Sequence, residues 1–397
     1  MIPSTYLVSF LDELVSFSLI GITLLDCIFN NSWKRYGLLW SIAAIITVYA
    51  VYSCSLSYNT LRYIMLDWVI ELKPFIPFCV LFAIGPTFTA KEKRIIRGIC
   101  WINIFIIAIC FAGGNKMVEL VMYHPAFPSM YALVCGMFYY YCSIDPTTNA
   151  VPTNKQWTAL AMMAVGIFGL KAKFFATFIL AIYLIRFYKP GLFKQFSLRH
   201  FIILLFLAGA VIASTWNKFN YYFLQGDTGT FDPRTIESFA RPVLYMTGGL
   251  IFIDHFPFGS GLASFASFAS AENYSRIYYE YGISNVHGLS PNHPVFICDA
   301  FYPSLAQFGI IGVILFIYFW IYIYKFLRVY VRTDPYYYRP QFITGSLIII
   351  FILVESTTAT TFTQMGGMIT MCLLGMCCAG GRSLMQSSNQ KSEIKKI

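Results

Sequence analysis

The sequence predicts an all-α fold: a polytopic membrane bundle of about eleven transmembrane helices with one large extracytoplasmic loop. Three observations predict it. The chain of 397 residues is 58% hydrophobic and only 12% charged, with mean hydropathy +0.64, whereas a soluble surface needs about a quarter charged residues. The apolar residues gather into runs such as Gly37–Ser53, Ile95–Ala112 and Ile310–Tyr324, near the roughly 20 residues that cross about 30 Å of hydrocarbon as helix. Finally, the basic residues recur after alternate runs, as the positive-inside rule requires of cytoplasmic loops.

In order, the spans read as residues 8–31, 37–57, 70–88, 95–113, 126–143, 157–170, 174–188, 200–216, 303–324, 340–358 and 365–381. The first lacks a basic residue before Lys34 and a cleavage site, so it reads as a true span. Cytoplasmic clusters follow at Lys34 and Arg35; Lys91, Lys93, Arg94 and Arg97; Arg186, Lys189, Lys194 and Arg199; Lys325, Arg328, Arg332 and Arg339; and Arg382 with Lys391, Lys395 and Lys396. The N-terminus is then outside. Outer connections fall at Ser57–Asp67, Gly114–Pro125, the Lys171–Lys173 corner, Thr215–Tyr302 and Thr358–Gln364. Four regions result: a transmembrane bundle over 1–214, an extracytoplasmic loop over 215–302, helices over 303–382 and a cytoplasmic tail over 383–397. Its polar end, Ser387–Ile397, reads as disordered.

Composition excludes several functions. A net charge of +10 confined to short loops is topological and does not indicate nucleic acid. Eleven cysteines, most inside spans, form no paired framework and indicate neither disulfides nor zinc. There is no Walker loop, HExxH, GxSxG, CxxC or dinucleotide glycine pattern, so ATP, zinc and nucleophilic-serine chemistry lack a motif. No metal and no cofactor is called for.

The candidate chemistry lies in the long loop. Arg241 opens an apolar stretch, Val243–Ile253, too short to span and read as an interfacial helix. At that helix's N-terminus an arginine suits a phosphate, although it reads equally as an interfacial arginine reaching to headgroups. Downstream, Arg276, Tyr278 and their aromatic neighbours suit a sugar surface, with an interfacial aromatic belt the more frequent explanation of that composition. Asp299 and His293 are each able to accept a proton from a sugar hydroxyl. Lys171, Lys173 and Glu355 lie at membrane depth or its edge, where charges are costly, as do Asp67 and Glu71 at an interface.

The order of these landmarks resembles the O-antigen polymerase and ligase superfamily of membrane glycosyltransferases. His124-Pro125-Ala126 resembles the family's short outer loop with histidine or arginine, and Gly169-Leu170-Lys171-Ala172-Lys173 its basic corner. Arg241, then His255-Phe256-Pro257-Phe258-Gly259-Ser260-Gly261, resembles its arginine helix leading into a proline–glycine turn. Asp299 followed by Leu305-Ala306-Gln307-Phe308-Gly309-Ile310-Ile311-Gly312 resembles the loop end before a Gly-x-x-Gly span. A ligase-type His-Asn pair is absent at Cys298-Asp299, which favours the polymerase side.

The resemblance implies an enzyme of a bacterial inner membrane, with a GT-C-like fold and its site on the periplasmic face. It would join polyprenyl-diphosphate-linked glycan repeat units for O-antigen, capsule or exopolysaccharide, without metal. Arg241, helped by Arg234, Lys173 and Lys171, would hold the diphosphate; Asp299 or His293 would serve as base; His124, Arg276 and Tyr278 would bind substrate. Its partners would be the lipid-linked glycan, membrane lipids and a chain-length regulator protein. The alternatives are a ligase moving polymer to a lipid A-core acceptor, and a transporter or flippase for such lipids.

Overall fold

The computed structural model describes residues 11–122, 127–190 and 240–394. Every regular element among them is helical, and their one β-bridge joins Ser290 to His293. The first half carries α1 (Leu11–Asn30), α2 (Gly37–Leu56), α3 (Leu61–Leu72), α4 (Phe75–Ile84), α5 (Ala90–Ala112), α6 (Gly114–Met122), α7 (Phe127–Cys142), α8 (Thr153–Ala164) and α9 (Ala172–Ile182). After the undescribed stretch come α10 (Ala240–Asp254), α11 (Gly309–Thr333), α12 (Arg339–Glu355) and α13 (Met365–Ile394).

Among the described residues, which leave out the expected span 200–216, four segments are long and apolar enough to cross a membrane: Trp33–Leu56, Ala90–Ala112, Gly309–Thr333 and Met365–Ser388. Their outer faces carry exposed Val48, Val51, Ile102, Phe105, Ile314 and Ile321. Such bare apolar side chains are what a lipid-facing surface presents. The protein is a helical membrane protein. α13 is the central helix, with 61% of its apolar window buried against 22–28% for the other three.

Small residues bring α13 close to its neighbours. A Cβ at Gly375 would meet the Phe78 carbonyl oxygen at 2.7 Å, and one at Gly381 the Phe326 carbonyl oxygen at 2.3 Å. These contacts let α4 and α11 approach backbone to backbone, the usual source of helix adhesion where lipid removes the hydrophobic drive. Gly381→Val should therefore lower stability by about 1–3 kcal/mol through overpacking. Thermal unfolding in detergent checks it, with exposed Gly98→Val as the neutral control.

Several boundaries differ from the sequence reading, among them those of α3, α6 and α13. The third element, expected over 70–88, begins at Leu61 and breaks at Lys73–Pro74 between α3 and α4. Arg62, Asp67 and Glu71 dilute the hydropathy of what is a helix, and Pro74 lacks the N–H to continue its ladder. Gly114–Met122, read as connection, is α6. The segment from Ser387, read as disordered, continues α13 to Ile394, because no glycine or proline follows Gly381 and polar Gln, Lys and Glu are good helix formers.

Residues 240–308 build a second, smaller core. Val243, Leu244 and Ile251 of α10 pack with Phe265, Ile277, Tyr278, Leu289, Ile297 and Ala306. Two of the places that pin this unit to the bundle involve left-handed backbone. Gly259 (φ +79°) and Gly309 (φ +59°) touch through their backbones, and a Cβ at Gly259 would lie 2.3 Å from the Gly309 nitrogen. Farther on, Ala263 sits in the left-handed region (φ +57°). Its N–H donates to Asp67 Oδ2 at 2.6 Å, and its carbonyl accepts from Asn59 Nδ2 at 2.8 Å. Asp67, expected at an interface, is fully buried and holds this strained turn against α3.

Candidate functional site

Arg241 and Asp299 form an ion pair across 58 residues of chain. Arg241 is the second residue of α10, and Asp299 lies where the loop returns towards α11. Both side chains stay partly open, at 33% and 27% exposed, so the pair is reachable. Arg241 Nε is buried and finds no hydrogen-bond partner among the described residues, which leaves it donor capacity. One turn along α10, Tyr245 donates to the Thr357 carbonyl at 2.8 Å. Burial pushes that phenol up to about 12 against the pull of Arg241, so it is a neutral donor at physiological pH.

A second pair stands beside the first. Lys173, in the first turn of α9, meets Glu355, the last residue of α12, at 2.7 Å. It is far more enclosed, at 10% and 2% exposed, and Thr361 Oγ1 adds a 3.4 Å hydrogen bond to Glu355.

The segment 355–364, between α12 and α13, ties the two pairs together. The Phe301 N–H donates to the Ser356 carbonyl at 3.1 Å. Thr360 Oγ1 donates to the Cys298 carbonyl at 3.3 Å, and Tyr302 to the Leu353 carbonyl at 2.6 Å. Burial holds the Tyr302 phenol up at about 12. Residues flanking Asp299 are thus fixed to the same short connection that begins with Glu355. The arrangement offers one guanidinium and one ammonium group, each neutralised at rest by a carboxylate. An incoming polyanion can exchange for the carboxylate at the open Arg241 pair, and that carboxylate can then take a proton.

The other sequence candidates fall in different places. Lys171 is half-buried and precedes α9 as its N-cap, after a left-handed Leu170 that turns the chain. Arg276 faces Glu280 at 3.9 Å, both exposed. Tyr278, proposed for sugar binding, is fully buried. Its hydroxyl accepts from the Ala266 N–H at 2.8 Å and shares a 2.8 Å bond with Ser270 Oγ. It holds a second left-handed residue, Ala266 (φ +52°). His293 is exposed and packs on His287, with ring centroids 5.4 Å apart. His124 and Arg234 lie outside the described residues.

Sequence reasoning missed one charged cluster. Lys73, at the break between α3 and α4, meets Asp12 at 2.6 Å and Glu13 at 3.1 Å from α1. Beside it is a small cavity of about 30 Å³ lined by Glu13, Ser16, Trp68 and Lys73 among apolar neighbours. The available signal was a lysine before a proline inside an apolar run.

Fold and site together define a helical membrane protein with two neighbouring cation–carboxylate pairs at one end of its bundle. No family model matches the chain, and no curated protein matches it.

Proposed function

We propose that this chain is a metal-independent membrane glycosyltransferase that extends a polysaccharide by moving a glycan from one polyprenyl diphosphate to another carrier-linked repeat unit. The single observation that carries the reading is the Arg241–Asp299 pair. The two residues named for diphosphate and for base, drawn from opposite ends of one segment, stand in contact, and the chain around Asp299 is bonded to the connection that follows Glu355, the partner of Lys173. In the eleven-span topology read from the basic loops, this end of the bundle faces the outer side of a bacterial inner membrane.

The pairing suggests an order of events. The donor diphosphate takes Arg241, with the enclosed Lys173 adding its charge from within the fold, so that the departing carrier leaves as a stabilised anion. Asp299, released from Arg241, then accepts the proton of the acceptor hydroxyl as that oxygen attacks the anomeric carbon. Asp299 stands closer to this task than His293, whose ring packs on His287. A ligase would run the same chemistry on a different acceptor.

The Asp12–Glu13–Lys73 cluster supports a second reading. Charged groups at a broken helix inside a bundle are a feature of transporters, and the carrier-linked glycan would then be cargo. Purified protein in sealed vesicles with two carrier-linked repeat units, and no ion gradient, separates the readings. Glycosyl transfer supports the enzyme, and Asp299→Asn should cut its rate about a hundredfold or more if it is the base. Movement across the bilayer with no new glycosidic bond would sink the enzyme reading.

A further inference from the structure

The loop between Val286 and Ile297 does one thing that the proposed transfer does not use: it places two imidazoles side by side. His287 and His293 are both exposed, with ring centroids 5.4 Å apart and planes inclined at 40°. The backbone is closed on itself to achieve this. The His293 N–H donates to the Ser290 carbonyl at 3.0 Å, and the Phe296 N–H returns to the Gly288 carbonyl at 2.9 Å. Gly288, at φ +80°, lies under the Phe296 ring, where a Cβ would come within 2.1 Å of a ring carbon. Phe296 also packs edge-on against His287, centroids 6.4 Å apart. The two rings therefore meet because the backbone fixes both Cα positions.

We propose that His287 and His293 form a binding site for a borderline divalent transition-metal ion such as Ni²⁺, Cu²⁺ or Zn²⁺. The spacing suits it. An ion about 2.1 Å from one nitrogen of each ring, at a tetrahedral angle, sets the ring centroids about 5 Å apart. Neutral imidazole is the ligand these ions favour over Mg²⁺ or Ca²⁺. Among the described residues no third His, Cys, Asp or Glu joins the pair, so the remaining coordination positions are open to water or to an oxygen from outside the chain. The loop also stands one hydrogen bond from the candidate site, because the Asp299 N–H donates to the Phe296 carbonyl at 3.2 Å.

The test is calorimetric titration of Ni²⁺, Cu²⁺ and Mg²⁺ into the full-length protein, purified in detergent without a polyhistidine tag. Wild type should bind one Ni²⁺ per chain, with Cu²⁺ tighter than Ni²⁺ and Mg²⁺ silent at that site. His287→Ala and His293→Ala should each weaken Ni²⁺ at least tenfold. His255→Ala should not, because His255 contacts Tyr58 instead, 3.4 Å from ring nitrogen to hydroxyl. His287→Gln and His293→Gln keep side-chain bulk and should reproduce the alanine losses, which separates lost ligands from a lost loop. Wild-type affinity in either single variant, or no Ni²⁺ binding by wild type, overturns the proposal.

Discussion

Replacing Arg241 with alanine should reduce glycosyl transfer by two to three orders of magnitude, the usual effect of deleting one preorganised group that stabilises developing charge. The expectation rests on Arg241 being the reachable cation of the two pairs, a third exposed while Lys173 is enclosed. Arg241→Lys keeps the charge but loses the planar fork that grips phosphate oxygens in pairs, so it should fall between wild type and alanine. Because alanine also removes the guanidinium that pairs with Asp299, Arg241→Ala with Asp299→Asn serves as a control for folding. A binding readout separates recognition from chemistry. Inorganic pyrophosphate should raise the thermal midpoint of wild type and of Asp299→Asn, but not of Arg241→Ala. Normal polymer length in cells carrying Arg241→Ala at wild-type protein levels would refute the diphosphate role.

The helical class was legible because hydropathy is a local property, visible in any window of the chain. Arg241, Asp299, Lys173 and Glu355 were legible for a related reason: each is a charge in an apolar or outward context, costly unless partnered. What no window shows is who partners whom. Arg241 finds Asp299 through the return of the loop, and Lys173 finds Glu355 through the packing of α9 on α12. Tyr278 illustrates the opposite failure. An aromatic beside arginine and carboxylate resembles a sugar platform, yet its hydroxyl is consumed within the loop by Ala266 and Ser270. The early start of the third element escaped because Asp67 and Glu71 lower local hydropathy while remaining buried in the fold.

Lys73→Met should cost about 3–5 kcal/mol of stability, the range for removing one partner of a buried ion pair. Lys73 is 8% exposed and Asp12 7%, so solvent screens that pair little, while Glu13 stays 28% exposed at its edge. Methionine matches the lysine stem in length, and the loss would therefore report the missing charge rather than a void. The matched control removes all three charges, Lys73→Met with Asp12→Asn and Glu13→Gln, and should recover most of the loss because no ion is left uncompensated. A single variant as stable as wild type, or a triple variant no better than the single, would show that the cluster carries no such energy. The triple variant also separates the two functional readings. An enzyme whose site is the Arg241–Asp299 pair should keep transferring glycan once α1 is held to the α3–α4 break without charges. A transporter coupled through the triad should stay folded and lose movement of its cargo, since its stability would survive while the titratable groups it depends on are gone.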